Sequence, residues 1–161
     1  MESGNKTYGP VLIIQFLMII LDLGINAGAP LLYKRNTVQL VLYMLQDISI
    51  VMAIIIMFLS FSATYVFQAG LISTLLGKFQ ATVWFWALYL GLSISYHIWS
   101  LSLRWGKEFE YVWNPGLVTF YILQRTVAVP YYYFYKRTAL MLGDPRFHQD
   151  SSWLREKIDQ R

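Results

Sequence analysis

The stretch VQLVLYMLQDISIVMAIIIMFLSFSATYVF, Val38 to Phe67, stays apolar for longer than a bilayer is thick, yet carries Gln46 and Asp47 in its first half. A helix crosses the hydrocarbon in about 20 residues. The run therefore crosses once, over about residues 38–62, and its excess tilts or joins the connection that follows. An acid retained in such a run needs a polar interior to face.

Three further runs flank it. Val11 to Leu32 is closed by Pro30 and the basic pair Lys34 and Arg35. Ala81 to Leu103 has Trp84 and Trp86 at one end and Trp99 and Trp105 at the other, the aromatic belt expected at headgroup level. Residues 116–136 hold Pro130, which removes a backbone donor, frees a carbonyl near Thr126 and predicts a kink. Phe67 to Phe79, with Gly70, Gly77 and Lys78, reads as an interfacial connection, and Arg104 to Pro115 as a polar loop. The expected fold is all-α: a polytopic membrane protein whose residues 1–143 form a four-transmembrane-helix bundle, with spans near 11–32, 38–62, 81–103 and 116–136. Residues 144–161 follow as a cytoplasmic tail with a short C-terminal helix.

Composition agrees. Hydrophobic residues make up 57% and charges 14%, against roughly 25% charged in a soluble domain. No linker or repeat suggests a second domain. With no cysteine, disulfides, thiolate metal sites and cysteine nucleophiles are excluded. The polar Met1 to Pro10 segment and the lack of a small-residue cleavage pattern make the first run a retained span rather than a removed signal peptide.

Basic residues orient the bundle. Lys6, Lys78, Lys136, Arg137, Arg146, Arg155, Lys157 and Arg161 fall on the side of the termini, against Lys34, Arg35, Arg104 and Lys107 on the other. Eight against four puts both termini in the cytoplasm. Asn5-Lys6-Thr7 is a glycosylation sequon that points the other way; its closeness to the first span argues that Asn5 goes unused.

Ionisable residues recur at one depth. Asp22 lies ten residues before Leu32, Asp47 nine after Val38 and Arg125 eight after Leu117. At about 1.5 Å per residue each is roughly 12 to 15 Å from the same face, about midway through the hydrocarbon. Helical spacing adds Gln15 and Asn26 on the first span, and Gln39, Tyr43 and Gln46 on the second. The third contributes Tyr89, Ser93, Tyr96, His97 and Ser100, and the fourth Tyr121 and Gln124. Burying these stripes together predicts one polar layer in which Arg125 pairs with Asp47 or Asp22. An unpaired midplane charge costs about 2.5 to 3.5 kcal/mol on insertion scales. In a competing reading Asp22, Asp47 and His97 form a proton or cation path. One arginine cannot neutralise two aspartates, so one of these acids is protonated, reaches water or faces a partner.

Small residues mark helix contacts: Gly24 and Gly28 on the first span, Ala87, Gly91 and Ser95 on the third. No phosphate loop or His-Glu-x-x-His metal spacing occurs. No metal, cofactor or catalytic residue is expected, and the net charge of +4 suits anionic lipid rather than nucleic acid. In the tail, Gly143, Asp144 and Pro145 end the last helix, and Asp150 caps a short one that brings Trp153, Leu154 and Ile158 to one side for a membrane surface or a protein partner.

The tail stretch YFYKRTALMLGDPRFHQDSSWLRE, Tyr133 to Glu156, resembles the C-terminal signature of the transmembrane protein 138 family. QLVLYMLQDISI at Gln39 to Ile50, VFQAGL at Val66 to Leu71 and LSISYHIWSLSLRW at Leu92 to Trp105 resemble it in the same order. The resemblance implies a four-span protein of ciliated eukaryotes, at the ciliary base and on vesicle or vacuolar membranes, serving cilium assembly and implicated in ciliopathies of the Joubert type. It implies no catalytic residues. Its partners would be ciliary or transition-zone membrane proteins and receptor cargo within the lipid bilayer. The leading expectation is thus a non-enzymatic scaffold or trafficking adaptor, and the alternative is a small oligomeric proton-coupled or cation-conducting protein.

Overall fold

The computed structural model describes residues 3–32, 35–64, 67, 72–107 and 114–143. Four long helices carry nearly all of them: α1 (Ser3–Gly28), α2 (Asn36–Ser62), α3 (Ile72–Arg104) and α4 (Pro115–Leu142). No strand occurs among the described residues. Of the expected tail contacts, Gly143 is described; Asp144, Pro145, Trp153, Leu154 and Ile158 lie outside the described residues, as does the Asn5 side chain.

Local chemistry sets the ends. After α1 the chain tightens into a 3₁₀ turn, Ala29–Leu32, where Pro30 withdraws a backbone donor. Asn114 caps α4, its side-chain oxygen accepting from the N–H groups of Gly116 at 2.9 Å and Leu117 at 3.4 Å, with Pro115 in the first turn. Past the end of α3, Gly106 adopts φ of 82°, the left-handed stop that glycine adopts without a Cβ penalty.

The helices begin earlier or run longer than their apolar cores. α1 starts at Ser3 and passes through Pro10, and α4 continues to Leu142. The largest correction is at α3: the expected connection Phe67 to Phe79 is already helical from Ile72. Its physical reason is visible in Phe79, which is buried and meets Phe61 of α2 edge-to-face at 5.0 Å. That aromatic contact extends the α2–α3 packing beyond the span proper.

Around the bundle α1 packs on α2, α2 on α3 and α3 on α4, while α4 returns to α1 along the most sparsely contacted of the four seams. The interior has three zones. A larger apolar cluster at one end includes Ile50, Met57, Phe61, Trp86, Tyr131 and Leu142, and a smaller one at the other gathers Ala29, Tyr43, Tyr96 and Leu117. Between and beside them lie polar side chains, almost as numerous among the buried residues as apolar ones. The outer surface is the reverse. Ile13, Leu17, Ile20, Val41, Ile48, Phe58, Trp84, Ile98, Ile122 and Val129 are all exposed. A monomeric soluble protein rarely exposes contiguous apolar surface on this scale. Within α1, Gly9–Gly28, and all of α2 are long and apolar enough to cross a membrane.

The small-residue positions face outward. Ala87, Gly91, Ser95 and Gly24 are exposed and Gly28 is half-buried, and a Cβ added at Gly24, Gly28 or Gly91 would meet nothing within 4 Å. The close approach inside the bundle occurs instead at Gly116. A Cβ there would lie 2.8 Å from the Trp99 ring of α3.

Candidate functional site

Asp22 is the centre of the polar interior. Its carboxylate accepts from one side chain on each of the other three helices. Gln46 Nε2 of α2 donates to Oδ1 at 2.8 Å, the Tyr89 hydroxyl of α3 lies 3.0 Å from Oδ2, and the Tyr132 hydroxyl of α4 donates to Oδ2 at 2.7 Å. Three donors to one carboxylate replace much of the hydration lost on burial.

Asn26, one turn further along α1, knits the donors together. Its oxygen accepts from Gln46 at 3.3 Å and from Gln124 at 3.1 Å, while its amide donates to the hydroxyls of Tyr89 at 3.3 Å and Tyr132 at 3.4 Å. Gln124 also reaches Ser93 at 3.3 Å. Asp22, Gln46 and Gln124 therefore belong to one network, and Tyr132, which the polar stripe expected on the fourth span does not include, joins it. The signal was available: Tyr132 follows Arg125 by seven residues, two helical turns, and shares the face that α4 turns towards α1.

His97 and Asp47 form a separate pair, with His97 Nδ1 2.8 Å from Asp47 Oδ1. The His97 side chain is buried whereas that of Asp47 is 27% exposed. Tyr43 stacks on the imidazole at a centroid distance of 4.1 Å. A third group sits where α2 begins and α3 ends: Arg104 Nη1 donates to Gln39 Oε1 at 3.0 Å, Gln39 donates to Tyr43 at 2.7 Å, and Asn36 donates to the Arg104 carbonyl at 2.7 Å. Gln15 stands apart from all three, donating to Ser60 at 3.4 Å.

Arg125 departs from expectation. It pairs with neither aspartate: among the described residues the ion pair is His97–Asp47. The guanidinium rests instead over the Tyr121 ring, 4.8 Å from its centroid, and its buried Nε has no hydrogen-bond partner. The physical reason is azimuth. Successive residues of a helix point about 100° apart, so with Gln124 aimed at the centre, Arg125 turns to the seam with α1. There it lines a cleft of about 370 Å³ with Leu23, Asn26, Ala27, Val129 and Tyr132. Among the described residues no three of His, Cys, Asp and Glu gather as a metal site.

Comparison with known proteins settles the family. Residues 39–157 match the family described as Transmembrane protein 138. The chain belongs to that family. The mouse protein named Transmembrane protein 138 (Mus musculus) is 48% identical over 160 residues, covering 99% of this chain and 98% of its own. Its Xenopus tropicalis namesake is 48% identical over 158 residues, covering 98% and 96%, and that of Danio rerio 48% over 152 residues, covering 94% of each. No solved structure matches the chain. Membership of the transmembrane protein 138 family, with its two long apolar helices, makes this a membrane protein. None of the names denotes an enzyme.

Proposed function

We propose that the chain is a four-span membrane protein with both termini in the cytoplasm, acting as a non-enzymatic scaffold or trafficking adaptor. It serves cilium assembly and the delivery or retention of ciliary membrane proteins. The observation that carries the scaffold reading is the Asp22 carboxylate, bonded by its own chain from α2, α3 and α4. Such a junction fixes helix register rather than offering an open reaction site. The four-span reading is supported by length and by surface. At about 1.5 Å per residue, α3 and α4 both exceed the thickness of the hydrocarbon, and both expose large apolar side chains, Leu88, Ile94 and Ile98 on α3 and Ile122, Leu123 and Val129 on α4. The ciliary role follows from the family resemblance.

Two measurements test it. The chain has no native cysteine, so single cysteines introduced at Lys107 and Arg161 report topology by reaction with an impermeant maleimide; four spans with cytoplasmic termini require labelling of Lys107→Cys alone on intact cells. An endogenously tagged copy with proximity labelling in ciliated cells then tests the role. Enrichment at the ciliary base beside transition-zone or cargo proteins supports it, and a uniform distribution without such neighbours defeats it.

The partly exposed Asp47 paired with His97 favours one second reading, an oligomeric proton-coupled protein. Reconstituted vesicles whose proton flux is abolished by Asp47→Asn would support that reading against the scaffold.

A further inference from the structure

We propose that the cleft between α1 and α4 is a docking groove for a transmembrane helix of another protein that carries an aspartate or glutamate at the depth of Arg125. The proposal deepens the scaffold reading and rests on α1 and α4 both spanning the membrane.

Charge complementarity identifies the occupant. Both acids nearest in depth are already engaged, Asp22 by Gln46, Tyr89 and Tyr132, and Asp47 by His97. Among the described residues Arg125 makes no ion pair: its guanidinium rests on the Tyr121 ring and feels the Asp22 carboxylate only through space, with Nε buried and unbonded. Intramembrane arginines pair with a carboxylate or with backbone carbonyls, and this one lines a cleft instead. It lies ten residues after Pro115, about 15 Å into the span at 1.5 Å per residue. Lipid phosphates and fatty-acid carboxylates sit at the headgroups, so a carboxylate at that depth comes from a protein segment.

The groove also has the shape for a helix. Ala27 and Ala128 are among its small lining residues, and Gly24 and Gly28 lie on either side of Ala27 in α1 with open space where a Cβ would be. Small residues let a third backbone approach closely in lipid. Asn26 and Tyr132 line the same cleft and supply polar contacts for the incoming side chain.

The test uses the full chain, donor-labelled, in phosphatidylcholine vesicles at mildly alkaline pH. Acceptor-labelled leucine-alanine transmembrane peptides carry one central glutamate or, as control, glutamine. Energy transfer should show the glutamate peptide associating about ten-fold more tightly than the glutamine peptide. That preference should vanish in Arg125→Gln. It should also vanish in Val129→Trp, which fills the cleft from a lipid-exposed position and keeps the charge. Equal association of the two peptides overturns the proposal, as does a glutamate preference that survives both variants. Energy transfer between donor-labelled and acceptor-labelled copies of the full chain without peptide, lost in Arg125→Gln, assigns the groove to a second copy and also overturns it. No ciliary component is present, so failure here leaves the ciliary reading to the localisation experiment.

Discussion

The Tyr132 hydroxyl of α4 donates to Oδ2 of Asp22 on α1 at 2.7 Å, across the seam that holds the bundle together least. The contact lies beside the Arg125 cleft, and Tyr132 lines both. Removing the hydroxyl leaves the carboxylate with Gln46 and Tyr89, whereas removing the carboxylate takes the shared acceptor from three donors at once. Tyr132→Phe should therefore cost about 1 to 2 kcal/mol and Asp22→Leu clearly more. Thermal unfolding of both variants in mild detergent, read as the fraction remaining monodisperse, checks the ranking. Equal midpoints would show that Asp22 is not the centre of the network.

Thr82 of α3 and Thr138 of α4 face one another with their hydroxyls 2.8 Å apart, both buried. Either valine substitution alone orphans the remaining hydroxyl and should destabilise by about 1 kcal/mol. The double variant Thr82→Val, Thr138→Val should recover most of that loss, since two isosteric methyl groups replace a matched pair. A double-mutant cycle measures the coupling directly.

Gly116 is held against Trp99. An added methyl at 2.8 Å from the ring forces the indole or the start of α4 to move, so Gly116→Ala should cost about 1 to 3 kcal/mol, the usual range for overpacking. Trp99→Leu, which vacates the space, should rescue the Gly116→Ala background while weakening the wild type. Failure of rescue would place the constraint in the backbone instead.

The Asp47–His97 pair separates isosteric from disruptive change. Asp47→Asn keeps a hydrogen-bonding group 2.8 Å from Nδ1 and should shift stability by less than about 1 kcal/mol. His97→Leu also loses the stack with Tyr43 and should be the more harmful. The same unfolding assay distinguishes them.

Much of the architecture was legible because polar residues are conspicuous in apolar runs. Gln15, Asp22, Asn26, Gln39, Gln46, Ser93, His97 and Gln124 repeat at helical spacing, and all are buried. Arg125 was misjudged because depth along a helix does not fix direction around it. Gln124 and Arg125 share a depth, but one peptide step turns the second towards the seam. The start of α3 was hidden for another reason. Gly70 and Gly77 read as loop, whereas Phe79 is held by a tertiary contact with Phe61 that local propensity cannot foresee.

Because Asp22 draws one donor from each of the later helices, its surroundings record how much of the chain has been made. After α2 the acid has met only Gln46, after α3 Tyr89 as well, and Tyr132 arrives last. A chain stopped short of α4 holds a partly unanswered acid among its apolar helices. Completeness is thus written into a single side chain near the beginning of the protein, and premature termination betrays itself there.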